Sequence, residues 1–418
     1  MVPEGWKIEL VGDLFDVQLG KMLNKEAKEK TPQFHYLGNS NVKWGYFDLS
    51  DLKTMHFSER DIEKFTMKSD DIIMCEGGEV GRCAIWQGSN QNIFYQKALH
   101  RLRSKGQIVP QFFQNYMEKI SGTKLLDDYT TRTSIAHLTR EKLISLPVRL
   151  PPLPEQTQIA QILSTWDKAI ATTEQLLANS QQQKKALMQQ LLTGKKRLLD
   201  KNGVRFSGEW DIVNLDSVCD VKGGKRLPKG SYLSENKTPY PYIRVADMFM
   251  GGVDVASIQY VPEDIAPSIQ RYRIFKDDLF ITVAGTLGIV GEIPDALDGA
   301  NLTENADKLT NIKCDKTYLL YVMKSDLIQK YIEAESTQNA QPKLALTRIR
   351  SFKVPTPGKE EQQKIAAVLS TADQEITALQ QKLNALKQEK KALMQQLLTG
   401  RRRVQLNEQN FKVITYGN

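Results

Sequence analysis

The sequence predicts an α+β chain assembled twice over: two mixed α/β domains, each followed by a long helix, related by an internal repeat. Three observations carry this. The stretch Lys184 to Gly194, KKALMQQLLTG, returns unchanged from Lys390 to Gly400, 206 positions further on. Ahead of each copy, apolar residues step by four and three, the spacing of one helix face. Between these helical blocks lie short apolar runs broken by Gly and Asn, the pattern of strands and turns.

The repeat spreads outward at the same offset through Glu155/Glu361, Gln156/Gln362, Leu163/Leu369, Asp167/Asp373, Ile170/Ile376 and Leu177/Leu383, so the chain carries an internal duplication. In the first copy Ile159, Leu163, Trp166, Ile170, Thr173, Leu177, Ser180, Lys184, Leu187 and Leu191 form a heptad seam. Ile365, Leu369, Ala372, Ile376, Leu379, Leu383, Leu386, Lys390, Leu393 and Leu397 form the second. Prolines precede each block (Pro151, Pro152 and Pro154; Pro355 and Pro357), where they fit a helix start. Thr-Gly and a basic triplet end each one, as a C-capping glycine and the negative end of a helix favour. A helix of about 39 residues spans roughly 58 Å at 1.5 Å per residue. So narrow a stripe needs a partner. A matched pair on one chain predicts pairing within the chain, and dimerisation between chains is the alternative.

Boundaries follow. Residues 1–150 form a first mixed domain, with strands at Ile72 to Cys75, Cys83 to Trp86 and Leu99 to Leu102 and a helix at Phe112 to Ile120. Residues 151–198 hold the first long helix. Residues 199–354 form a second mixed domain, with β signals at Tyr242 to Ala246, Leu279 to Ala284 and Ile289 to Ile293. Residues 355–404 hold the second helix, and 405–418 are a tail. The two domains echo each other loosely: Trp6, Ile8, Asp16, Val17, Gly20, Lys21, Leu23 and Lys25 match Trp210, Ile212, Asp220, Val221, Gly224, Lys225, Leu227 and Lys229. Near-identical helices with divergent domains suggest two heads doing one kind of job on different targets.

Composition narrows the class. A formal charge of +8 and a pI near 9.0 tilt towards an anionic partner. Cys75, Cys83, Cys219 and Cys314 fall in no paired spacing, which points to a reducing compartment. The opening MVPEGWKIEL lacks the apolar core of a signal peptide, and no run is long enough for a membrane helix, so a cytoplasmic location is expected.

The motifs of chemistry are missing. The sequence has no Asp/Asn-Pro-Pro-aromatic tetrapeptide and no Gly-x4-Gly-Lys-Ser/Thr loop. Asp13 with Glu26-Ala27-Lys28 reads as a solvated turn rather than a nuclease site. His35, His56, His100 and His137 are scattered without zinc spacing. Gly77-Gly78-x-x-Gly81 reads as a tight hairpin. No catalytic residue, metal ligand or cofactor is therefore expected in this chain.

The order of these features resembles a specificity subunit of a type I restriction-modification system over nearly the full length. The residues carrying it are Pro3-Glu4-Gly5-Trp6 with its echo Ser207-Gly208-Glu209-Trp210, the segment Leu150-Pro151-Pro152-Leu153-Pro154-Glu155-Gln156, and the two Leu-Leu-Thr-Gly-basic ends. Ser134 to Leu138 and Ala340 to Leu344 resemble the loop before the last strand of a target recognition domain. The second copy departs at Pro357-Gly358-Lys359-Glu360 and keeps only Glu361-Gln362, which leaves its helix start less defined. The resemblance implies two target recognition domains, each reading half of an asymmetric, bipartite DNA site. The long conserved helices of that family form an intramolecular antiparallel coiled coil with a pseudo-two-fold relation, setting the spacer and docking two methyltransferase subunits. It further implies that S-adenosylmethionine belongs to those partners, which flip out and methylate adenine. ATP and Mg would belong to a restriction/translocase subunit. An orphan or phage-defence modification system of the same architecture is the alternative, and a protein-only coiled-coil adaptor is another.

Phosphates are met by Lys and Arg, and base edges by Arg, Lys, Asn or Gln. Turn-like context or duplicated position selects DNA-contact candidates: Lys21, Lys25, Lys43, Arg82, Lys97, Arg132 and His137 in the first head, and Lys225, Arg226, Lys229, Arg244, Lys308, Gln341 and Lys343 in the second. The basic triplets read as helix-end charges.

Overall fold

The structure is a computed structural model that describes residues 2–88, 92–131, 136–336 and 343–404. It divides into two compact units, Met1–Glu174 with Gln381–Asn418, and Gln175–Gln380. The tail expected at 405–418 lies outside the described residues.

In the first unit an antiparallel ribbon, Lys7–Leu10 against Pro147–Leu150, brings the two ends of the head together. The main sheet holds β1 (Phe15–Leu19), β2 (Ile72–Cys75), β3 (Cys83–Ile85) and β4 (Leu99–Ser104) in the order β1-β4-β2-β3, all antiparallel. One face, with Val17, Ile72, Met74 and Leu102, packs on helix α1 (Pro110–Ile120) through Phe112, Phe113 and Met117. The same core takes in Ile159 and Leu163 from the long helix α2 (Leu153–Leu191). The other face packs Ile73, Cys75 and Leu99 against Phe57, Phe94 and Tyr95. These aromatics border a mixed three-stranded sheet of Lys53–His56, Gln33–Leu37 and Ile93–Tyr95.

The second unit repeats this plan. Its ribbon is Asp211–Asn214 against Lys353–Thr356. Its main sheet holds β5 (Asp220–Gly223), β6 (Leu279–Thr282), β7 (Val290–Glu292) and β8 (Ala306–Thr310) in the order β5-β8-β6-β7. Val221, Leu279, Ile281 and Leu309 pack on helix α3 (Lys316–Lys324) through Tyr318, Leu319 and Val322, together with Ile365 and Leu369 of the long helix α4 (Lys359–Leu397). The strand expected over Tyr242 to Ala246 stops at Ile243. Arg244 turns the chain there: its backbone N–H and its guanidinium both donate to Asp247, closing a 3-10 turn over Val245–Asp247.

The seams hold. Every seam position of α2 and α4 named above is buried or half-buried. α4 starts at Lys359 despite its missing prolines, in register with Leu153 of α2. Gly194 and Gly400 follow the helices with φ of 70°, a left-handed conformation open to glycine, and the Lys196 and Arg402 N–H groups donate back to the Gln190 and Gln396 carbonyls.

The Glu-Gln pairs explain the repeated motif at each helix start. Glu155, 2% exposed, accepts from Trp6 Nε1 at 3.0 Å and from Arg403 Nε and Nη2 at 2.7 and 2.9 Å. Glu361, also 2% exposed, accepts from Trp210 Nε1 at 3.2 Å and from Arg197 Nε and Nη2 at 2.6 and 2.8 Å. A buried carboxylate is tolerated only when paired in this way. The neighbouring glutamines tie down the helix entrances of the heads: Gln156 accepts from the Val109 N–H at 2.8 Å, and Gln362 from the Asp315 N–H at 2.9 Å. One member of each basic triplet thus anchors a head.

The seam lysines are paired too. In the first unit Lys390 meets Asp167 at 2.7 Å and Glu118 at 2.9 Å, and Lys387 meets Glu174 at 2.7 Å. In the second, Lys184 meets Asp373, which also accepts from the Tyr321 hydroxyl at 2.7 Å, and Ser180 donates to Glu375 at 2.9 Å.

Candidate nucleic-acid interface

Four chain segments meet at one end of the main sheet in each head. In the first, Gly20 N–H donates to the Leu99 carbonyl, Glu76 N–H to Ala98 and Leu138 N–H to Glu76. In the second, Gly224 N–H donates to Ala306, Val283 N–H to Asn305 and Leu344 N–H to Val283. Gly20 and Gly224 are required by this closeness, since a Cβ would fall 2.3 Å from the Gln96 carbonyl oxygen or 2.0 Å from that of Thr303. The candidate residues concentrate here because the duplicated framework brings the same loops to the same sheet end twice.

In the first head Lys21 and Lys97 are neighbours, the Lys97 N–H donating to the Lys21 carbonyl at 2.6 Å. Lys21 bonds Asp61 at 2.5 Å and sits 5.2 Å from the Phe57 ring centre, while Lys97 is exposed. Arg82 and His137 belong to a second group. Arg82 donates to the Asn39 carbonyl at 2.9 Å, Asn39 donates to the Gly77 carbonyl at 2.8 Å, and Gly77 bridges to His137. Gly78 and Gly81 turn the β2–β3 hairpin with φ of 76° and 79°, as the Gly-rich motif requires. Lys25 is exposed at the start of the helix Lys25–Glu29, and Lys43 is half-buried. Arg132 lies outside the described residues.

In the second head Lys225, Arg226 and Lys343 line one cleft of about 500 Å³, with Gly223, Glu304, Asp307 and Leu344. Arg226 is 3.3 Å from Glu304, and Lys225 lies 5.8 Å from the Tyr272 ring centre. Lys229 is exposed. Two candidates are engaged by partners within the head. Arg244 is clamped on Asp247 and also donates to Gln259 and the Ser257 carbonyl. Lys308 is 9% exposed and gives its ammonium to the Arg273 carbonyl. Gln341 lies outside the described residues.

Sequence reasoning missed Asp307, which forms part of the cleft from β8. Burial pushes its carboxyl up to about 6, with Lys343 and Arg350 pulling the other way. Its register position, opposite Gly223, corresponds in the first head to His100 opposite Leu19. His100 is fully buried, its Nε2 donating to the Leu138 carbonyl at 2.9 Å, and burial lowers its pKa. A signal existed in the sequence: both strands carry an ionisable residue one step before the buried Arg101 or Lys308.

The model of the type I restriction modification DNA specificity domain matches residues 3–179 and 207–388, both halves of the repeat. The chain belongs to the type I restriction-modification specificity subunits. This specificity subunit is 25% identical over 427 residues to the type I restriction enzyme MjaVIII specificity subunit of Methanocaldococcus jannaschii, covering 97% of this chain and 94% of that one. It is 23% identical over 253 residues to the EcoBI specificity subunit of Escherichia coli, covering 56% and 53%. In fold it is similar to the crystal structure of a type I restriction-modification S subunit from M. genitalium, with a TM-score of 0.59 at 18% identity over 95% of this chain and 96% of that one. A chain from a study of type I restriction-modification complex assembly gives 0.57 at 19% identity, with 95% and 98% covered. The two mixed heads are thus the family's recognition domains, and neither an orphan system nor a protein-only adaptor is favoured. Among the described residues, no helix is long and apolar enough to cross a membrane.

Proposed function

We propose that each head of this specificity subunit reads one half of a bipartite asymmetric DNA site, while α2 and α4 pair antiparallel as a ruler between the halves. One observation carries the reading. In the first unit Glu155, Asp167 and Glu174 of α2 meet Arg403, Lys390 and Lys387, and in the second Ser180, Lys184 and Arg197 meet Glu375, Asp373 and Glu361. In both lists one number climbs as the other falls. In this reading a pseudo-dyad would relate the two heads, the symmetry with which dimeric regulators address paired half-sites.

Within this reading the chain binds and positions and performs no bond-breaking step. Lys21 and Lys97 in the first head, and Lys225, Arg226 and Lys343 in the second, meet phosphates or base edges at the sheet ends. Two methyltransferase subunits dock on the helices and supply S-adenosylmethionine, and a restriction/translocase subunit supplies the ATP- and Mg-dependent steps. The complex works in the cytoplasm.

The test changes the ruler. Adding one heptad to each helix lengthens the rod by about 10 Å, or about three base pairs at 3.4 Å each. Selection from random duplex DNA is expected to return the same two half-sites with a wider gap. An unchanged gap, or altered bases, would overturn the ruler. Methyl transfer by the purified chain alone would overturn the non-catalytic assignment.

A further inference from the structure

We propose that the cleft in the second head is a base-reading pocket in which the Asp307 carboxylate accepts a hydrogen bond from the exocyclic amino group of a cytosine or adenine. The inference rests on the DNA-reading function above and assigns one contact within it.

The geometry singles out Asp307. The residue is 5% exposed, and no hydrogen bond from a described residue to its carboxylate is formed. Its Oδ1 lies where only Gly223 stands opposite: a Cβ on that glycine would come within 3.4 Å of it. Side chains directly opposite each other on paired strands share one face of the sheet. In the first head the pair Leu19 and His100 fills the corresponding place, and the imidazole is satisfied by the Leu138 carbonyl. In the second head a missing side chain leaves an acceptor within an open cleft.

The chemistry selects the ligand. An ionised carboxylate only accepts hydrogen bonds, so the group it receives must donate. An acceptor shielded from most of the solvent, with no donor from a described residue, gains when a ligand's donor arrives. Lys225, Arg226 and Lys343 around the same cleft favour a ligand that also carries negative charge, and Glu304 occupies only Arg226. A nucleotide joins the two, with its phosphate at the cations and its amino group towards the carboxylate. Among bases, cytosine N4 and adenine N6 offer that donor in the major groove, and a carboxylate accepting from cytosine N4 is a recognised pairing. Three neighbouring cations argue against a metal ion as occupant.

The experiment selects binding sequences from random duplex DNA with the full chain, its Asp307→Asn variant and its Gly223→Leu variant, which copies the first head. Expected is a two-part sequence in which both variants lose about ten-fold of the preference for an amine-bearing base at one position of one half-site. The other half-site stays as in the parent chain and reports that the protein is folded. Affinity for unrelated DNA should stay within about two-fold, since phosphate contacts persist. Variants that select the parental sequence at every position, or lose preference across the whole half-site, would overturn the assignment. A parent chain that selects no two-part sequence would instead overturn the function on which it rests.

Discussion

The two heads share their attachments and differ at their sheet ends. Trp6, Glu155 and Arg403 in one, and Trp210, Glu361 and Arg197 in the other, make the same three hydrogen bonds to a buried carboxylate and the same placement of the guanidinium over the indole ring. Gln156 and Gln362 tie equivalent turns. At the opposite extreme, His100 stands where Asp307 does, and Leu19 where Gly223 does. Between these lies a middle ground in which an identical helix residue meets a different head. Counting from the glutamine ties, Glu118 corresponds to Lys324, and Asn115 to Tyr321. Lys390 therefore faces two carboxylates, whereas Lys184 shares Asp373 with Tyr321 and has Lys324 nearby. Identity is kept where a buried charge must be matched, and variation is free where the surface meets solvent or a ligand.

The largest test of this contrast removes the anchors. Glu361→Ala leaves Arg197 and Trp210 unpaired and should destabilise the second unit by about 3–5 kcal/mol. Glu155→Ala should cost the first unit somewhat less, since Arg403 is 36% exposed against 19% for Arg197. Thermal melting of the two variants ranks them, and a neutral result for either breaks the shared-anchor view. Next come the seam lysines. Lys390→Met strands Glu118 and Asp167 and should cost about 2 kcal/mol, the partners being partly solvated. Lys184→Met should cost under about 1 kcal/mol, because Asp373 keeps the Tyr321 bond and Lys324 is relieved of a like charge. Equal losses in urea titrations would show that the differing heads do not matter there.

Acidity should move the heads in opposite directions. The Asp307 carboxyl, raised to about 6 and faced by Lys343 and Arg350, contributes stability that is complete below its ordinary 3.8 and lost as pH rises through 6. His100, lowered from 6.5 and near Glu76, Arg140 and Glu141, contributes stability that is present above 6.5 and lost as pH falls through its depressed value. Hydrogen exchange resolved by unit at pH 8 and pH 5 should therefore show the second head gaining and the first losing. At pH 8, Asp307→Asn should stabilise the second head by about 3 kcal/mol, the equivalent of raising the carboxyl from 3.8 to about 6. The smallest effect separates a cation at the cleft from one already bound to a carboxylate. Lys225→Ala should flatten the plot of log affinity against log salt by about one phosphate contact, while Arg244→Ala leaves that slope unchanged.

The helices and their seams were legible because a period of three and four over 39 residues has few competing explanations. The main sheet was partly legible, since Ile72–Cys75 and Leu279–Thr282 are fully buried runs. The smaller mixed sheets were not: strands as short as Gln259–Tyr260 or Arg273–Ile274 carry too few residues to show alternation. Arg244 read as a strand residue until its bond to Asp247 supplied the turn. Lys308 read as a DNA-contact candidate, yet its stem lies in the sheet and its ammonium reaches a carbonyl. Asp307 escaped because a carboxylate inside a strand gains meaning only from the glycine across from it.

The anchors also order events in time. Trp6 and Glu155 leave the ribosome before the first long helix is made, but Arg403 follows 248 residues beyond Glu155, after the second unit. The second unit needs only the contiguous span from Gln175 to Gln380, whose own arginine waits 164 residues for Glu361. The head made first is thus completed after the second, and its buried carboxylate stays without its arginine until the whole of the second unit has been made.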